Sequence, residues 1–511
     1  MKPVAIISVS DKRGADAFAK RLSSLGYDIV STGGTASFLE KNGVSVIPVE
    51  RVTNFPECLD GRVKTLNAAI FAGILADRRK ESHTAKLNEL GVTPIDIVAV
   101  NLYPFRRTVL NPDHTFEEAI ENIDIGGPSL IRAAAKNHSS VLIAVSPDSY
   151  DAIIGRLENN GVDYAFRLRL ATDAFAHTAA YDAYISRYFQ KKTGDEYPQS
   201  LTMTFDKKQD LRYGENPAQS AAFYEAVSND AGFSGIERAE YLHGIELSYN
   251  NINDAHGALA LALEFNAPAC VAVKHATPCG VGEADTLSNA YQKAYDCDPV
   301  SIFGGIICFN REIDEETALR LNNIFLEVII APGYSPKALE VLKRKKNRRL
   351  LRADFNKKEY GTEFKSVGGG LLVQRTDSLP IDSEPARFVT KNTASARQLD
   401  DMRFAMKVAK HVRSNAIVVA KNCASIGIGG GETSRVRAAE AALAQASVKS
   451  AGAVIASDAF FPFPDVVELC AKSGVTAILQ PGGSKNDQAS IDKCDEFGIA
   501  MAFTGARHFK H

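Results

Sequence analysis

Length, composition and charge limit what this chain can be. Its 511 residues exceed what one hydrophobic core usually serves, so the sequence predicts two or three domains. Apolar residues make up 45% and charged residues 23%, the ordinary balance of a globular protein. The 59 Lys and Arg nearly balance the 61 Asp and Glu, which excludes a broad electrostatic footprint for nucleic acid or an anionic membrane.

Cysteine spacing and hydropathy add two expectations. The eight cysteines form no C-x-x-C pair, so we expect reduced thiols in a cytoplasmic protein rather than a disulfide framework or a tetrahedral zinc site. The N-terminal apolar run is too short for a signal peptide, and no segment approaches the ~18 apolar residues of a membrane span. We therefore expect a soluble chain.

Residues 1–189 alternate short apolar runs with helical stretches. The predicted strands are Val4–Val9, Asp28–Val30, Val44–Val49, Ile95–Val100 and Val141–Val145, and the predicted helices include Ala15–Leu25 and Phe116–Ile123. Such alternation predicts parallel strands joined by crossover helices, an α/β fold. The polar segment Gln190–Ser200 that follows is the predicted linker.

Two turns of this first part could hold a phosphate. Ser31–Thr35 (STGGT) follows a strand and opens a helix, so its main-chain N–H groups and hydroxyls could point at an anion. Ser10–Gly14 follows the first strand, and the carboxyl ends of parallel strands share one edge of a sheet. Plain β–α turns use the same residue types, so a purely structural role remains the alternative.

Three further segments place polar groups at predicted strand ends or helix starts. These segments are Gly61–Thr65, Val100–Pro104 and Asp124–Ser129, the last leading into a helix with Arg132 and Lys136 on one face. Each alone could be a surface loop or a capped helix. Their convergence on strand ends favours a binding edge.

The remainder of the chain contains an internal echo. Val271–His275 is followed, six residues after its lysine, by Gly280–Gly282 and a helical stretch. Val418–Asn422 is followed at the same offset by Gly427–Gly429 and another helix. The pattern predicts an ancient duplication, with a ligand cleft between the two copies.

Lys274-His275 is the most enzyme-like dipeptide of this part. Histidine titrates near neutrality and can remove a proton, while an adjacent lysine can stabilise developing negative charge. The turn Leu211–Pro217 offers an arginine fork suited to phosphate. The aromatics of Ser457–Phe463 could pack in a core or stack on a flat heterocycle. The basic stretch Lys343–Arg349 is predicted to be a solvated loop, with an anion-binding patch as the alternative.

A zinc deaminase site is not expected. That signature needs H-x-E and P-C-x-x-C, but no Glu stands two residues after His275, and position 282 is Gly. We therefore expect no catalytic metal.

Taken together, the motifs resemble one family over essentially the whole chain. In order they read SVSDK, STGGT, RVKTL, NLYPF, IDIGG, RAAAKNH, LRYGENP, KH..PCG, IIAPGY, SDAFFPF, QPGGS and TGARHFKH. The chain resembles the bifunctional purine biosynthesis proteins, which join phosphoribosylaminoimidazolecarboxamide formyltransferase to IMP cyclohydrolase. Each motif is weak alone, but the full ordered set is highly specific.

The resemblance implies the fold and the reactions. It implies a methylglyoxal-synthase-like α/β cyclohydrolase domain at residues 1–195 and a transformylase of two cytidine-deaminase-like α/β units, without zinc, at residues 200–511. The transformylase would pass a formyl group from 10-formyltetrahydrofolate to the 5-amino group of aminoimidazole carboxamide ribotide, and the cyclohydrolase would close the ring with loss of water. The family's transformylase sites form across a homodimer interface.

The resemblance also implies site residues. In the transformylase, His275 would take the amine proton and Lys274 would stabilise the charge on the formyl oxygen. The ribotide would bind to Arg212, Tyr213, Gly304, Glu327 and Arg507, and the folate to Asn415, Arg435, Phe460, Asp465, Ser484 and Lys485. In the cyclohydrolase, Lys136 would transfer protons with Lys64, Tyr103 and Asp124. The nucleotide there would bind to Ser10, Asp11, Lys12, Ser31, Thr32, Gly33, Gly34, Arg62, Val63, Lys64, Thr65, Val100, Asn101, Asp124 and Ile125, with Asn101 on the oxyanion.

Some positions depart from the family pattern. Asn67-Ala68 and Phe71 stand where the family usually has His-Pro and a second His, Ala218 replaces a His, and Glu432 replaces a Gln. One alternative is therefore a transformylase with a weakened cyclohydrolase. Another is a nucleotide-sensing protein without turnover, and a third is a phosphate lyase of the methylglyoxal-synthase type in the first domain.

Overall fold

The computed structural model describes residues 2–59, 62–226, 235–355, 361–381 and 386–511, so Gly61 lies outside it. The chain divides into two compact units, the first running to Phe205 and the second from Asp206 to His511. Among the described residues, no helix is both long and apolar enough to cross a membrane.

The first unit is an α/β sandwich. Its elements are β1 (Val4–Val9), α1 (Ala15–Ser24), β2 (Asp28–Ser31), α2 (Gly33–Lys41), β3 (Ile47–Pro48), α3 (Val49–Thr53), α4 (Ala68–Leu75), α5 (Glu81–Leu90), β4 (Ile97–Asn101), α6 (Phe105–Leu110), α7 (Phe116–Glu121), α8 (Gly126–Lys136), β5 (Leu142–Ala144), α9 (Tyr150–Glu158) and α10 (Tyr164–Thr193).

All five strands of this unit pair in parallel, in the order β3-β2-β1-β4-β5. The parallel sheet predicted from the alternation is thereby confirmed. The predicted strand at Val44–Val49 shrinks to β3 because α3 already begins at Val49. The predicted linker begins too early, since α10 continues to Thr193 and ends at Gly194, whose φ of 72° is left-handed.

The second unit is built on two larger sheets. Its elements are β6 (Phe205–Leu211), β7 (Ala221–Ala226), β8 (Glu240–His243), α11 (Tyr249–Ala262), β9 (Ala269–Lys274), β10 (Thr277–Glu283), α12 (Leu287–Cys297), β11 (Ile306–Phe309), α13 (Glu315–Leu321), β12 (Val328–Ala331), α14 (Pro336–Lys343), β13 (Arg349–Arg352), β14 (Thr362–Val367), β15 (Gly370–Arg375), β16 (Arg387–Phe388), α15 (Ala396–Ala409), β17 (Ile417–Ala420), β18 (Ser425–Gly429), α16 (Arg435–Ala446), β19 (Val454–Ser457), α17 (Asp465–Lys472), β20 (Ala477–Gln480), α18 (Asp487–Phe497) and β21 (Ala500–Phe503).

The two six-stranded sheets have the same topology. The first runs β10-β9-β11-β12-β13-β8 and the second runs β18-β17-β19-β20-β21-β16, with parallel and antiparallel pairs at the same places. The internal echo of the sequence is therefore a structural duplication. We refer to the two copies as the first and second halves of this unit.

The glycine-rich segments of the echo are strands, β10 and β18, because each folds back on the preceding strand as a hairpin. Their glycines are explained by close helix packing. A Cβ added to Gly280 would lie 2.0 Å from the main-chain oxygen of Ala294 in α12, and one added to Gly427 would lie 2.0 Å from that of Ala442 in α16. Only glycine lets each helix approach its hairpin so closely.

The two halves share one core. A single buried cluster joins Val271 and Val273 of β9 with Met402 of α15 and Val418 of β17, while the opposite face of each sheet has a core of its own. The ring centroids of Phe265 and Phe404 lie 5.5 Å apart within the shared cluster. Burial of this shared apolar surface is the main force that holds the halves together.

The basic stretch Lys343–Arg349 is only partly the solvated loop that we predicted. Arg348 and Arg349 are 2% and 9% exposed. The guanidinium of Arg348 donates to Asn322 Oδ1 at 3.1 Å, and Nε of Arg349 donates to the main-chain oxygen of Glu246 at 3.1 Å. Main-chain and side-chain oxygens accept most donors of these two buried guanidinium groups, although Nε of Arg348 has no hydrogen-bond partner among the described residues.

Candidate active sites

The carboxyl edge of the first sheet is fixed by Asn101, the last residue of β4. Its Oδ1 accepts the main-chain N–H groups of Ser10 at 2.6 Å and Asp11 at 2.8 Å, and its Nδ2 donates to the main-chain oxygen of Asp11 at 3.0 Å. The loop Ser10–Lys12 therefore rests on Asn101. The amide that we expected on an oxyanion is engaged in shaping this loop.

The hydroxyls of Ser31–Thr35 are also engaged within the sheet. Ser31 Oγ donates to the main-chain oxygen of Ile7 at 2.6 Å, and Thr32 Oγ1 lies 2.7 Å from Ser8 Oγ. Helix α2 begins at Gly33, so its first-turn N–H groups, from Gly33 and Gly34, lack acceptors within the helix. These main-chain groups, rather than the hydroxyls, form the phosphate-binding feature of this turn.

Lys64 lies over the beginning of α2. A Cβ added to Gly33 would be 3.3 Å from Lys64 Nζ, which also pairs with Glu57 at 2.8 Å. The neighbouring Thr65 reaches the start of α8, because a Cβ added to Gly126 would be 3.0 Å from its Oγ1. The Arg62–Thr65 segment thus connects two strand ends of one edge, although Arg62 itself is exposed and paired with Glu121.

Asp124 is a half-buried acid at this edge. Its Oδ1 accepts the N–H of Gly127 at 2.7 Å, and burial raises its pKa although hydrogen bonds from the main chains of Gly127 and Tyr103 oppose that effect. The side chains of Tyr103 and Ile125 are exposed beside it. Val100 is core, so only its main chain can face a ligand.

Lys136 is not brought to this edge. It is the last residue of α8, whose first residue is Gly126, and an eleven-residue helix is roughly 15 Å long. The next residue, Asn137, donates to the main-chain oxygens of Ile74 and Ala76 at the far end of α4. Within one chain, Lys136 therefore lies at the opposite edge of the sheet from Asp124.

The residues that depart from the family pattern have structural roles here. Asn67 caps α4, since its Oδ1 accepts the N–H of Ala69 at 2.9 Å. Phe71 packs against the core of the first unit. Glu432 contributes its main-chain oxygen, which accepts the Nδ2 of Asn415 at 2.9 Å.

The second candidate site lies at one edge of the first half's sheet. Lys274 ends β9, and its Nζ donates to the main-chain oxygen of Phe303 at 2.8 Å. A Cβ added to Gly304, whose φ is 68°, would be 3.2 Å from that Nζ. His275 follows with an exposed side chain. The lysine ammonium is thus held at a fixed point beside a histidine that solvent and substrate can reach.

Glu327 joins this site from the start of β12. Its Oε2 accepts Nδ2 of Asn251 at 2.7 Å and lies 3.5 Å from the guanidinium of Arg349. Its main-chain N–H donates to the oxygen of Gly305 at 3.1 Å. Asn251 and Arg349 were missed by the sequence reasoning, although Arg349 belongs to the stretch for which an anion-binding patch was the alternative.

The Arg212-Tyr213 turn is tied to the same region. The Arg212 guanidinium lies 5.9 Å from the centroid of the Tyr213 ring. Two residues further on, the main-chain oxygen of Glu215 accepts Nδ2 of Asn250 at 3.3 Å, and Asn250 precedes the Asn251 that holds Glu327. The other residues of this site belong to the first half, whereas the Arg212-Tyr213 turn follows β6 of the separate β6–β7 sheet. None of these residues comes from the second half.

A third cluster lies in the second half. Arg435 is 6% exposed, and its guanidinium donates to Asp458, to Ser457 Oγ at 2.8 Å and to Asn415 Oδ1 at 2.7 Å. These hydrogen bonds hold the Arg435 guanidinium against Asn415.

The other predicted folate residues border this cluster. Phe460 is partly exposed, and Asn486, next to Ser484-Lys485, donates to the main-chain oxygen of Pro462 at 3.0 Å, between Phe460 and Asp465. At the C-terminus, the N–H of His508 donates to the oxygen of Asp458 at 2.8 Å, which brings Arg507 beside the same cluster. In the described ranges, no hydrogen bond or ion pair joins it to the Lys274 site.

Among the residues that the structure describes, no group of three or more His, Cys, Asp or Glu side chains is arranged to hold a metal ion.

Comparison with known proteins identifies the class. A family model for an MGS-like domain matches residues 14–129, and one for an AICARFT/IMPCHase bienzyme matches residues 134–445. The fold and the sites therefore define a bienzyme of mixed α/β architecture, as the resemblance implied.

Full-length relatives identify the family. The chain is 54% identical over 513 aligned positions to the bifunctional purine biosynthesis protein PurH of Bacillus cereus (strain AH187), and 55% identical to that of Bacillus thuringiensis subsp. konkukian (strain 97-27), with 100% of both chains covered in each case. The chain belongs to the family of bifunctional purine biosynthesis proteins. It is a formyltransferase and an IMP cyclohydrolase of purine synthesis.

One solved structure, described as the crystal structure of ForH, also matches. It is 36% identical, with a TM-score of 0.33, over 37% of this chain and 96% of that chain.

Proposed function

We propose that residues 200–511 transfer the formyl group of 10-formyltetrahydrofolate to the 5-amino group of aminoimidazole carboxamide ribotide, and that residues 1–195 close the ring to IMP. The observation that supports this most is the position of the Lys274 ammonium, which donates to the main-chain oxygen of Phe303 beside Gly304 and lies next to the exposed imidazole of His275. That arrangement supplies a cation and a proton acceptor side by side.

Formyl transfer needs both of these groups. The ribotide amine is a poor nucleophile because its lone pair is delocalised into the imidazole and the carboxamide. As nitrogen attacks the formyl carbon, His275 takes the amine proton and Lys274 stabilises the charge on the formyl oxygen. The bond from the formyl carbon to the folate nitrogen then breaks, and that nitrogen is protonated. The hydrogen bond from the Lys274 ammonium to the main-chain oxygen of Phe303 keeps the ammonium in place during the reaction.

Binding of the ribotide is assigned to groups around this pair. Arg212 binds phosphate, Tyr213 and Gly304 contact the nucleotide, and Glu327 accepts hydrogen bonds from it. Arg507, which lies beside the cluster of the second half, would reach the phosphate from the partner subunit of a homodimer. Glu327 is suited to this because Asn251 and Arg349 fix its carboxylate.

The folate is assigned to the cluster of the second half. Asn415, supported by Arg435, recognises its polar edge, Phe460 stacks on its ring, and Asp465 and Ser484-Lys485 complete the contacts. Because no hydrogen bond or ion pair joins this cluster to the Lys274 site in the described chain, we propose a homodimer in which one copy supplies the nucleotide groups and its partner supplies the folate groups.

Ring closure is assigned to the first unit. The N–H groups of Gly33 and Gly34, the Ser10–Lys12 loop and Arg62–Thr65 hold the nucleotide. The carboxamide nitrogen attacks the formyl carbon, a carbon–nitrogen bond forms, and water leaves. Lys64 and Asp124, with Tyr103 beside them, are the groups at this edge that can move the protons. The position of Lys136 does not support the role first expected for it.

We also propose a cytoplasmic location, because both substrates are charged, soluble metabolites. A nucleotide-sensing protein without turnover is the competing interpretation. The exposed Lys274-His275 pair favours an enzyme, because a sensor has no need of a proton acceptor beside a fixed cation.

The test is a coupled assay with purified protein, ribotide and formyl-folate, following tetrahydrofolate and IMP together. His275→Ala should lower the rate of tetrahydrofolate formation by roughly 10²–10⁴-fold. The same variant should still convert purified formylated ribotide to IMP. Lys64→Ala should show the reverse pattern. Full formyl transfer by His275→Ala would refute the proposed base, and absence of both products in the wild type would favour the sensor.

A further inference from the structure

The Lys274-His275 turn has a structural twin in the second half. His275 and Ala276 have φ values of 52° and 58°, and their counterparts Asn422 and Cys423 have 58° and 52°. Left-handed φ is unfavourable for residues with a Cβ, and neither pair contains a glycine. Some other group must therefore hold each turn in this conformation.

One carboxylate does so in each half. Asp254 of α11 accepts the N–H of His275 on Oδ2 at 3.1 Å and the N–H of Ala276 on Oδ1 at 2.7 Å. In the second half, Asp401 of α15 accepts two successive N–H groups in the same way, at 2.9 and 2.6 Å. A carboxylate suits the task because each of its two oxygens can face one of two adjacent N–H groups.

The twins differ in what their side chains can do. The imidazole of His275 is exposed and has no hydrogen-bond partner in the part of the chain that the structure describes. Asn422 is engaged instead, because Arg397 donates to its Oδ1 and Lys293 of the first half donates to its main-chain oxygen at 2.6 Å. The second turn fastens the halves together, whereas the first turn leaves a proton acceptor available.

We propose that Asp254 is a positioning residue for formyl transfer, holding the His275 main chain in the left-handed conformation that aims the imidazole at the substrate amine. This inference rests on the proposed function, in which His275 takes the amine proton. Asp254 acts through the two N–H groups that it accepts, and Asp401 holds its own turn without any such proton acceptor.

The duplication supplies a matched control. Asp254→Asn and Asp401→Asn each replace one acceptor oxygen by an NH₂ group facing an N–H donor. Asp254→Asn should lower kcat for formyl transfer by roughly 10²-fold with a much smaller change in KM, because displacement of a reacting group by about 1 Å has that effect. Asp401→Asn should keep a kcat near the wild-type value. Equal loss of kcat in the two variants would overturn the proposal.

A double variant separates positioning from general damage. If Asp254 acts through His275, Asp254→Asn should cost no further activity once His275→Ala is present, whereas additive losses would overturn the inference. Unchanged activity in His275→Ala alone would instead refute the proposed base. Should Asp254→Asn fail to fold, the pair Ala276→Gly and Asp254→Asn/Ala276→Gly replaces it, because glycine adopts the left-handed conformation readily. The same 10²-fold difference in kcat is then expected within that pair.

Discussion

The guanidinium of Arg435 is hydrogen-bonded to the carboxylate of Asp458, and both side chains are buried. Arg435 opens α16 and Asp458 follows β19, so the pair joins a helix start to a strand end. The same guanidinium holds Asn415, a residue proposed to bind folate. One ion pair thus supports both the local fold and a residue proposed to bind folate.

Breaking this pair from one side should be costly. Asp458→Asn leaves Arg435 charged and buried without its carboxylate, which should lower the free energy of unfolding by about 3–5 kcal/mol. Asp458→Asn/Arg435→Met should lose less than the sum of the single changes, as judged by thermal unfolding. The control is Arg344→Met, since its partner Glu340 and Arg344 itself are 77% and 61% exposed. A melting temperature unchanged by Asp458→Asn would contradict the prediction.

The loss of folding stability at low pH should depend on Glu264. Burial alone would raise its pKa, but hydrogen bonds and charges from His411 and Lys410 outweigh burial and lower the pKa from 4.5 to about 2. Because the folded pKa lies below the unfolded one, the stabilisation is present above about pH 4.5 and is lost as the pH falls towards 2. The shift corresponds to about 3 kcal/mol.

Glu264→Gln tests this dependence. Its deficit in unfolding free energy relative to the wild type should be largest near pH 7 and shrink as the pH falls below 4.5, measured by urea unfolding at a series of pH values. Glu340→Gln, at an exposed position, is the control and should show no such trend. A deficit that stays constant down to pH 2 would show that Glu264 is not the titrating group.

The hairpin glycines should not tolerate a methyl group. Gly280→Ala should destabilise the protein by roughly 1–3 kcal/mol, because its Cβ would clash with the Ala294 main chain in α12. Gly257→Ala in α11 is the matched control, since no atom lies within 4 Å of its Cβ and alanine favours helix, so it should be neutral or stabilising. The test compares the denaturant midpoints of the two variants, and equal midpoints would refute the close packing.

Replacing Asn101 should lower the cyclohydrolase activity and leave formyl transfer intact. Asn101→Ala leaves the N–H groups of Ser10 and Asp11 without their acceptor, so the phosphate-side loop loses its support. Conversion of formylated ribotide to IMP should fall by about 10- to 100-fold while formyl transfer is retained. Asn159→Ala, which removes a comparable amide from an exposed helix end, should alter neither activity. Loss of formyl transfer in Asn101→Ala would point to global damage.

Much of the fold was visible in the sequence because its signals are local. Alternating apolar runs gave the parallel sheet of the first unit, and the repeated Lys-turn-glycine pattern gave the duplication. The hairpins β9–β10 and β17–β18 were not predicted, because the need for glycine there arises from how α12 and α16 fold back onto them, a contact that the sequence pattern does not show.

The sites were predicted less completely, for the same physical reason. Lys136 ends the helix that begins just after Asp124, and the sequence pattern did not show how far helix length separates the two residues. The ion pair between Arg435 and Asp458, which lie 23 residues apart, was not visible in the sequence either. The role of Asp254 was not predicted. An aspartate stands twenty residues before each lysine of the internal echo (254 to 274 and 401 to 421), and this regularity could have revealed it.

The shared core of the second unit bears on how the chain can be divided. Each half packs one face of its sheet and one helix against the other half. A fragment that ends or begins between Ile381 and Ala386 would therefore expose a large apolar surface. Such fragments should aggregate separately and regain solubility only when produced together. The two copies are therefore expected to fold only together.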